Sequence, residues 1–475
     1  MRYQSTRGAA PVLGFADVLL TGLASDGGLY LPETWPEFSA DDIRRLAGRT
    51  YAEVALEVIR PFVGGAIPEG DLERIIRETY ADFGHSAVAP LKQLDSKVWL
   101  LELFHGPTLA FKDYALQLVG RLFDHVLTER GERVTIVGAT SGDTGSAAIE
   151  ACRDRSQVEV FILHPEGRVS EVQRRQMTTV DAANVHNIAI QGTFDDCQDM
   201  VKAMFGDAAF RGEMNLSAVN SINWVRIMAQ IVYYFTSAVA LGAPDRAVAF
   251  AVPSGNFGNV YAGYAASRMG LPVPQFIVAS NANDILTRFF ESGTMEATGV
   301  RPTYSPSMDI QVSSNFERLL FDLLGRDGAK VAAVMSAFRE TGRFTLDPAT
   351  YRTVRECFDG FRLDDPGTLA EIKRCRASTG ELLDPHSAIG VAAARQVSRP
   401  DVQAVVALAT AHPAKFPDAV EQASGIRPEL PERLSDLLER PEKLTALPND
   451  LARIQDYVRS HASASNRRGL APATD

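Results

Sequence analysis

The sequence predicts an α/β protein of parallel sheets with helices on both faces, preceded by a small helical N-terminal domain. Three observations lead there. At 475 residues the chain is long enough for two or three units, each burying its own core. From Ala16 to about Pro90 apolar residues recur at helical spacing, as in Val54, Leu56, Val58 and Ile59, and again in Leu72, Ile75 and Ile76. Beyond that point short β-branched runs are each followed by small residues and then an amphipathic stretch, the repeat of a parallel sheet crossed by helices.

In chain order, residues 98–104, 134–137, 158–163, 185–190, 247–252, 276–279 and 402–408 read as buried strands with helical segments between them. Residues 292–315 carry Gly, Pro, Ser and Thr without a clear period and read as a long loop of the kind that often serves function. Near the C-terminus, Pro428, Pro431, Pro441 and Pro448 separate short helical pieces, and the tail from Ser463 reads as disordered. There is no internal repeat.

Composition removes several functions. The 48 Lys and Arg against 59 Asp and Glu leave a net charge of -11, a field that repels nucleic acid and anionic lipid, so an anionic substrate needs a local site. Cys152, Cys197, Cys357 and Cys375 form no CxxC pair, which indicates neither a zinc site nor a disulfide framework and suits a reducing cytoplasm. The first eight residues lack the apolar core of a signal peptide, and the longest apolar stretch, residues 231–243, is too short to span a bilayer. We therefore expect a cytoplasmic protein with no metal, nucleic-acid or membrane partner, acting as a monomer.

Candidate chemistry sits in strand-to-helix turns, where helix N-termini offer unpaired amides and a positive dipole end. In Ser254-Gly255-Asn256-Phe257-Gly258-Asn259, two glycines and two asparagines permit positive φ and let successive amides meet an anion. The competing reading is a turn that serves packing alone. In residues 138–145 the amides and the Ser141 and Thr144 hydroxyls suit a carboxylate and leave Asp143 for a second group, unless Asp143 or Thr144 only caps the next helix. Lys112 opens the amphipathic helix of Leu116, Val119, Phe123 and Val126, where the dipole and apolar neighbours disfavour its charge and make a nucleophilic amine. A surface lysine covering apolar area is the alternative. Thr410 offers a hydroxyl for a ring nitrogen, whereas His412 and Lys415 read as ordinary loop polars. Asn220, Ser221 and Arg226 at another helix start suit a phosphate, or else a cap and a surface arginine.

Taken together these segments resemble the threonine synthases of the longer class with an extra N-terminal domain. The resemblance includes Tyr3-Gln4-Ser5-Thr6-Arg7-Gly8, Asp26-Gly27-Gly28-Leu29-Tyr30, and residues 105–113, 141–145, 220–226, 255–259 and 410–416, in the family's order across almost the whole chain. It implies a tryptophan-synthase-β-like fold: a helical N-terminal domain over 1–90, a large cofactor-binding domain over 91–140 and 216–430, a small inserted α/β domain over 141–215, and a helical extension and tail over 431–475. It also implies pyridoxal phosphate held as a Schiff base on Lys112, with the cofactor phosphate on Gly255, Asn256, Phe257, Gly258 and Asn259, Thr410 at the pyridine nitrogen and Asp143 near the 3-hydroxyl. Substrate carboxylate would lie at Ser141 and Thr144, and substrate phosphate at Asn220, Ser221 and Arg226. Shorter relatives commonly carry asparagine where Asp143 stands, so a carboxylate there must share a proton or turn away. The implied reaction converts O-phospho-L-homoserine and water to L-threonine and phosphate. The nearest rival reading is a pyridoxal-phosphate-dependent phospho-lyase or dehydratase that yields a 2-oxo acid.

Overall fold

The computed structural model describes residues 1–140, 142–218, 221–397 and 399–462. Ser141, Asn220 and the tail from Ser463 lie outside the described residues. The chain divides into two compact units, one of Met1–Val18, Leu23–Ala115 and Ser221–Pro428, the other of Leu19–Gly22, Leu116–Asn220 and Glu429–Asp475.

The first unit is built on a six-stranded sheet in the order Phe358–Arg362, Phe276–Ser280, Val248–Pro253, Ala404–Ala409, Val98–Glu102 and Leu91–Gln93. All neighbours run parallel except Leu91–Gln93, which pairs antiparallel at the edge. The two central strands are buried at every position, which is why they read as unbroken apolar runs rather than alternating ones. Their alanines, Ala249, Ala251, Ala407 and Ala409, share a core cluster with Ala388, Val391 and Ala393 of the helix Pro385–Ala394. That helix lies so close that a Cβ on Gly390 would stand 2.9 Å from the Pro253 ring. The edge strand Phe358–Arg362 escapes the pattern because Asp359, Gly360 and Arg362 interrupt its apolar run.

The second unit carries a five-stranded sheet, all parallel, in the order Thr445–Pro448, Val185–Gln191, Val158–Pro165, Val134–Ala139 and Leu216–Ser217. Every strand predicted for the two sheets is present. The C-terminal segment differs from the expected helical pieces: Thr445–Pro448 adds an edge strand, and the helix Leu451–His461 places Ile454 and Val458 in the core beside Phe161 and Ile188. A strand of four residues that ends in a proline is too short to show a period.

The N-terminal segment also holds more than helices. Arg2–Ser5, Leu13–Gly14 and Tyr30–Pro32 form an antiparallel sheet, ahead of the helices Tyr51–Val63 and Glu69–Ala81. Here the two N-terminal motifs meet. Asp26 accepts hydrogen bonds from Ser5 Oγ at 2.8 Å and from the amides of Ala9, Ala10 and Gly28 at 2.9 Å each. Burial pushes its carboxyl up, but these donors together hold it below the usual carboxylate range.

One buried arginine ties this segment to the rest of the first unit. Arg318 is fully buried and donates to the Tyr30 carbonyl from Nε and Nη2 at 3.0 and 2.9 Å, to the Ile222 carbonyl at 2.6 Å, and to Asn315 Oδ1. Burial pushes its guanidinium down to about 10, which leaves it charged at neutral pH. Replacing Arg318 by Leu should remove both donors to the Tyr30 carbonyl and the bonds to the Ile222 carbonyl and Asn315, and cost about 3 kcal/mol of unfolding free energy, measured by denaturant titration.

Candidate active site

The strands Val248–Pro253, Ala404–Ala409 and Val98–Glu102 lie side by side and parallel, so their C-terminal ends reach one edge of the sheet. Adjacent strands stand about 4.8 Å apart, which sets the turns that follow within about 10 Å of each other. Those turns are the glycine-rich loop from Ser254, the turn at Thr410, and the segment that ends at Lys112. Residues about 140 positions and more apart in sequence are thereby gathered where ligands collect in such sheets.

The lysine segment is stitched to the Thr410 turn by backbone bonds. Leu103 N–H donates to Ala409 O at 2.9 Å, Phe111 N–H to Thr410 O at 2.9 Å, and His412 N–H to Leu109 O at 3.0 Å, while Ala110 and Ala411 form an antiparallel bridge. Leu109 takes φ +63°, a left-handed backbone unfavourable for a branched side chain, to turn back into the helix Lys112–Arg130. Asp113 holds that turn by accepting the Thr108 N–H at 2.8 Å and the Thr108 hydroxyl at 2.7 Å. Gly106 is required here, because a Cβ would lie 2.3 Å from that of Asp113. Lys112 is the first helical residue, half-buried, with its Nζ 6.0 Å from the Phe111 ring centre.

The Thr410 amide donates to Ser387 Oγ at 3.1 Å and its carbonyl accepts from Phe111, so its backbone is committed and its side chain remains for a ligand. His412 serves as the expected loop polar, accepting the Ala414 amide on Nδ1 at 3.2 Å. Lys415 does not: it is fully buried and donates Nζ to the Thr108 carbonyl at 2.7 Å. Its only sequence signal is its place between Ala414 and Phe416.

In the loop from Ser254 the predicted positive φ falls on neither glycine nor asparagine. Phe257 takes it, at +61°, with its ring packed among Phe290, Phe316 and Phe358. The glycines are needed for room instead: a Cβ on Gly255 would lie 3.1 Å from Met308 Cα, and one on Gly258 would lie 3.2 Å from Asn315 Nδ2. The helix Gly258–Arg268 starts without a side-chain cap, which leaves its first amides for an outside acceptor. Asn259 is turned inward, its Oδ1 accepting from Tyr233 and Tyr234 at 2.7 and 3.0 Å. The long loop braces this turn from behind. Ser313 Oγ donates to Gly255 O at 2.7 Å, and Asn315 donates to Asn256 O from its amide at 3.1 Å and from Nδ2 at 3.0 Å.

Asn315 Nδ2 also reaches Ser221 O at 3.1 Å and so joins the loop to the start of the helix Trp224–Ala240. Asn223 caps this helix by accepting the Val225 amide at 2.9 Å. Arg226 is no surface residue. It is 5% exposed, has no acidic partner among the described residues, and leaves Nε and Nη1 without acceptors. Burial pushes its guanidinium down to about 10, yet it stays charged at neutral pH. A buried cation in that state awaits an anion.

In the second unit, the turn after Val134–Ala139 is organised by Thr140, whose Oγ1 accepts the amides of Gly142 and Gly145 at 3.0 and 2.9 Å. Gly142 precedes the helix Asp143–Cys152 and gives it no side-chain cap. Asp143 is buried with Oδ1 accepting Gln173 Nε2 at 2.8 Å, and Gly142 must be glycine because a Cβ would lie 2.6 Å from Gln173. Thr144 lies in the first turn of that helix, and Ser141 is outside the described residues.

Comparison with known proteins shows the family. Models for the threonine synthase N terminus, for pyridoxal-phosphate-dependent enzymes and for the threonine synthase C-terminal region match residues 2–80, 84–337 and 387–458. A threonine synthase of Pseudomonas aeruginosa is 58% identical, covering 98% of this chain and 99% of its own. The chain belongs to the threonine synthase family. Among solved structures, a pyridoxal-phosphate-bound threonine synthase from Brucella melitensis has a TM-score of 0.96 at 57% identity, covering 98% of this chain and all of its own. The yeast threonine synthase has a TM-score of 0.92 at 40% identity, covering 97% and 98%.

Membership makes pyridoxal phosphate the cofactor to test against the residues present, and they suit it. The uncapped amides after Phe257 suit a phosphate. Thr410 has its side chain to spare, and Lys112 lies one backbone bond away from it through Phe111. Reading the sequence as a threonine synthase does not identify Asn315, Lys415, Ser387 or Gln173, because each acts by bonding a residue distant in the chain. In cofactor-loaded protein, inorganic phosphate at about ten times its Kd should add roughly 1.4 kcal/mol to stability, read as a raised thermal midpoint. Arg226→Met should abolish that increment and, without phosphate, leave the midpoint unchanged or higher.

Proposed function

We propose that this chain converts O-phospho-L-homoserine and water to L-threonine and phosphate, with pyridoxal phosphate held on Lys112. The observation that carries the reading is the buried, unpartnered Arg226 in the same unit as a second, uncapped anion-accepting turn. One anion site serves the cofactor phosphate and the other the phosphate that leaves the substrate.

Gly255, Asn256, Phe257, Gly258 and Asn259 hold the cofactor phosphate. Thr410 meets the pyridine nitrogen with a hydroxyl. A hydroxyl there, unlike a carboxylate, does not hold a proton on the ring nitrogen. When bound, the cofactor supplies an electron sink that makes the substrate Cα proton removable. Lys112, at the tip of a turn fixed by Asp113 and Thr108, removes that proton. A second proton leaves Cβ, and its bonding electrons form the Cβ–Cγ double bond as phosphate departs from Cγ. Lys112 returns a proton at Cγ, and water adds its hydroxyl at Cβ to give threonine. Arg226, with Asn220 and Ser221, binds the substrate phosphate and stabilises its negative charge as the Cγ–O bond breaks. Ser141 and Thr144 take the substrate carboxylate, and anchoring both ends fixes the Cα–H bond against the ring. Asp143, which accepts a hydrogen bond from Gln173, lies near the cofactor's 3-hydroxyl and shares that group's proton.

We read the enzyme as a cytoplasmic monomer, which the net charge of -11 and four cysteines without disulfides support. No helix among the described residues is long and apolar enough to cross a membrane.

With O-phospho-L-homoserine, threonine and phosphate should appear in equal amounts, and a 2-oxo acid as main product would sink the reading. Lys112→Ala should lose steady-state turnover altogether. Arg226→Ala should chiefly raise KM, by about 10- to 100-fold, the worth of hydrogen bonds to a charged group.

A further inference from the structure

Asp384 is the N-cap of the helix Pro385–Ala394 and is 0% exposed, yet it does far more than cap. Oδ1 accepts the Ser387 amide at 3.0 Å and the Ser387 hydroxyl; Oδ2 accepts the His386 amide at 3.0 Å and His386 Nδ1 at 2.7 Å. Four donors converge on one buried carboxylate, which offsets its desolvation without a cation.

Both side-chain donors reach on to the candidate site. Ser387 Oγ, having given its proton to Asp384, accepts the Thr410 amide at 3.1 Å. His386, with its proton on Nδ1, accepts the Ser307 amide on Nε2 at 3.3 Å. Ser307 belongs to the turn Pro306–Met308, and Met308 Cα packs so closely that a Cβ at Gly255 would stand 3.1 Å from it. The His386 ring is further held by Phe416, 4.8 Å between ring centres. One carboxylate is thus joined by two short chains to the residue placed at the pyridine nitrogen and to the back of the phosphate turn.

We propose that Asp384 is a positioning residue that sets the span between the Thr410 hydroxyl and the Gly255 turn through two separate arms, Ser387 for the ring end of the cofactor and His386 for its phosphate end. The proposal rests on the reading of those two turns as the cofactor site. An ordinary N-cap would need only the two amide bonds; the hydroxyl and imidazole bonds, and what each reaches, are what the cap does not explain.

The test separates the arms in full-length protein. Ser387→Ala removes the acceptor of the Thr410 amide and should shift the visible absorbance of the bound cofactor while leaving its Kd within about twofold. His386→Phe keeps a ring against Phe416 and should raise the cofactor Kd by about tenfold, the worth of a buried hydrogen bond, with the absorbance unmoved. Asp384→Asn should do both. Thermal midpoints of the cofactor-free proteins show whether a variant has simply lost its fold, and a double variant, Ser387→Ala with His386→Phe, should combine the two effects. If either single variant moves both readouts, or if neither moves one, Asp384 is only a helix cap and the proposal falls. If the unaltered protein takes up no pyridoxal phosphate, the site reading itself fails before any variant is made, and this proposal with it.

Discussion

Parallel pairing of Ala404–Ala409 between Val248–Pro253 and Val98–Glu102 is the constraint from which the candidate site follows. Parallel strands point their C-terminal ends the same way, so three turns that lie far apart in the chain open on one edge. The pairing does not stop with the strands. It continues through Leu103 to Ala409, Phe111 to Thr410 and Leu109 to His412, and so carries sheet register into the loop that presents Lys112. A lysine on a free loop would have a hydrogen-bonding reach but no fixed direction. Here the amine starts from a backbone locked to Thr410 and His412.

Two buried arginines in the same unit show how the same residue type divides between structure and function. Burial pushes both Arg226 and Arg318 down to about 10. Arg318 has spent its donors on the carbonyls of Tyr30 and Ile222 and on Asn315, so it cross-links segments nearly 300 residues apart and has nothing left for a ligand. Arg226 has Nε and Nη1 without acceptors among the described residues. Holding such a charge costs stability, and an anion bound to it would offset that cost. Asn315 stands between the two, bonded to Arg318, to the Ser221 carbonyl and to the Asn256 carbonyl, and so couples the cross-link to both anion-accepting segments.

The sheet strands were legible because central parallel strands are apolar at every position and end in turn residues, as in Val-Ala-Phe-Ala-Val-Pro over Val248–Pro253. Edge strands were not, since charged and glycine residues break the apolar run of Phe358–Arg362 and Thr445–Pro448 is too short to show a period. The glycine-rich turn was legible as a turn but misread in detail: its glycines provide clearance for Met308 and Asn315, and Phe257 carries the left-handed backbone because a cluster of phenylalanine rings holds it there. Lys415 looked like a loop polar because nothing local announces that the Thr108 carbonyl, 307 positions away, will receive its ammonium.

What the sequence by itself determined is the fold class, the family to which the chain belongs, and the residue types at each strand end, because these depend on local periodicity and on the order of short motifs. What only the tertiary structure decided is which groups remain unsatisfied. Whether a buried arginine has spent its donors or still has them to give, and how many donors gather on an aspartate before Pro-His-Ser, depends on partners brought together by sheet register. Hydrogen-bond satisfaction is a property of the whole packed unit, and no window of sequence contains it.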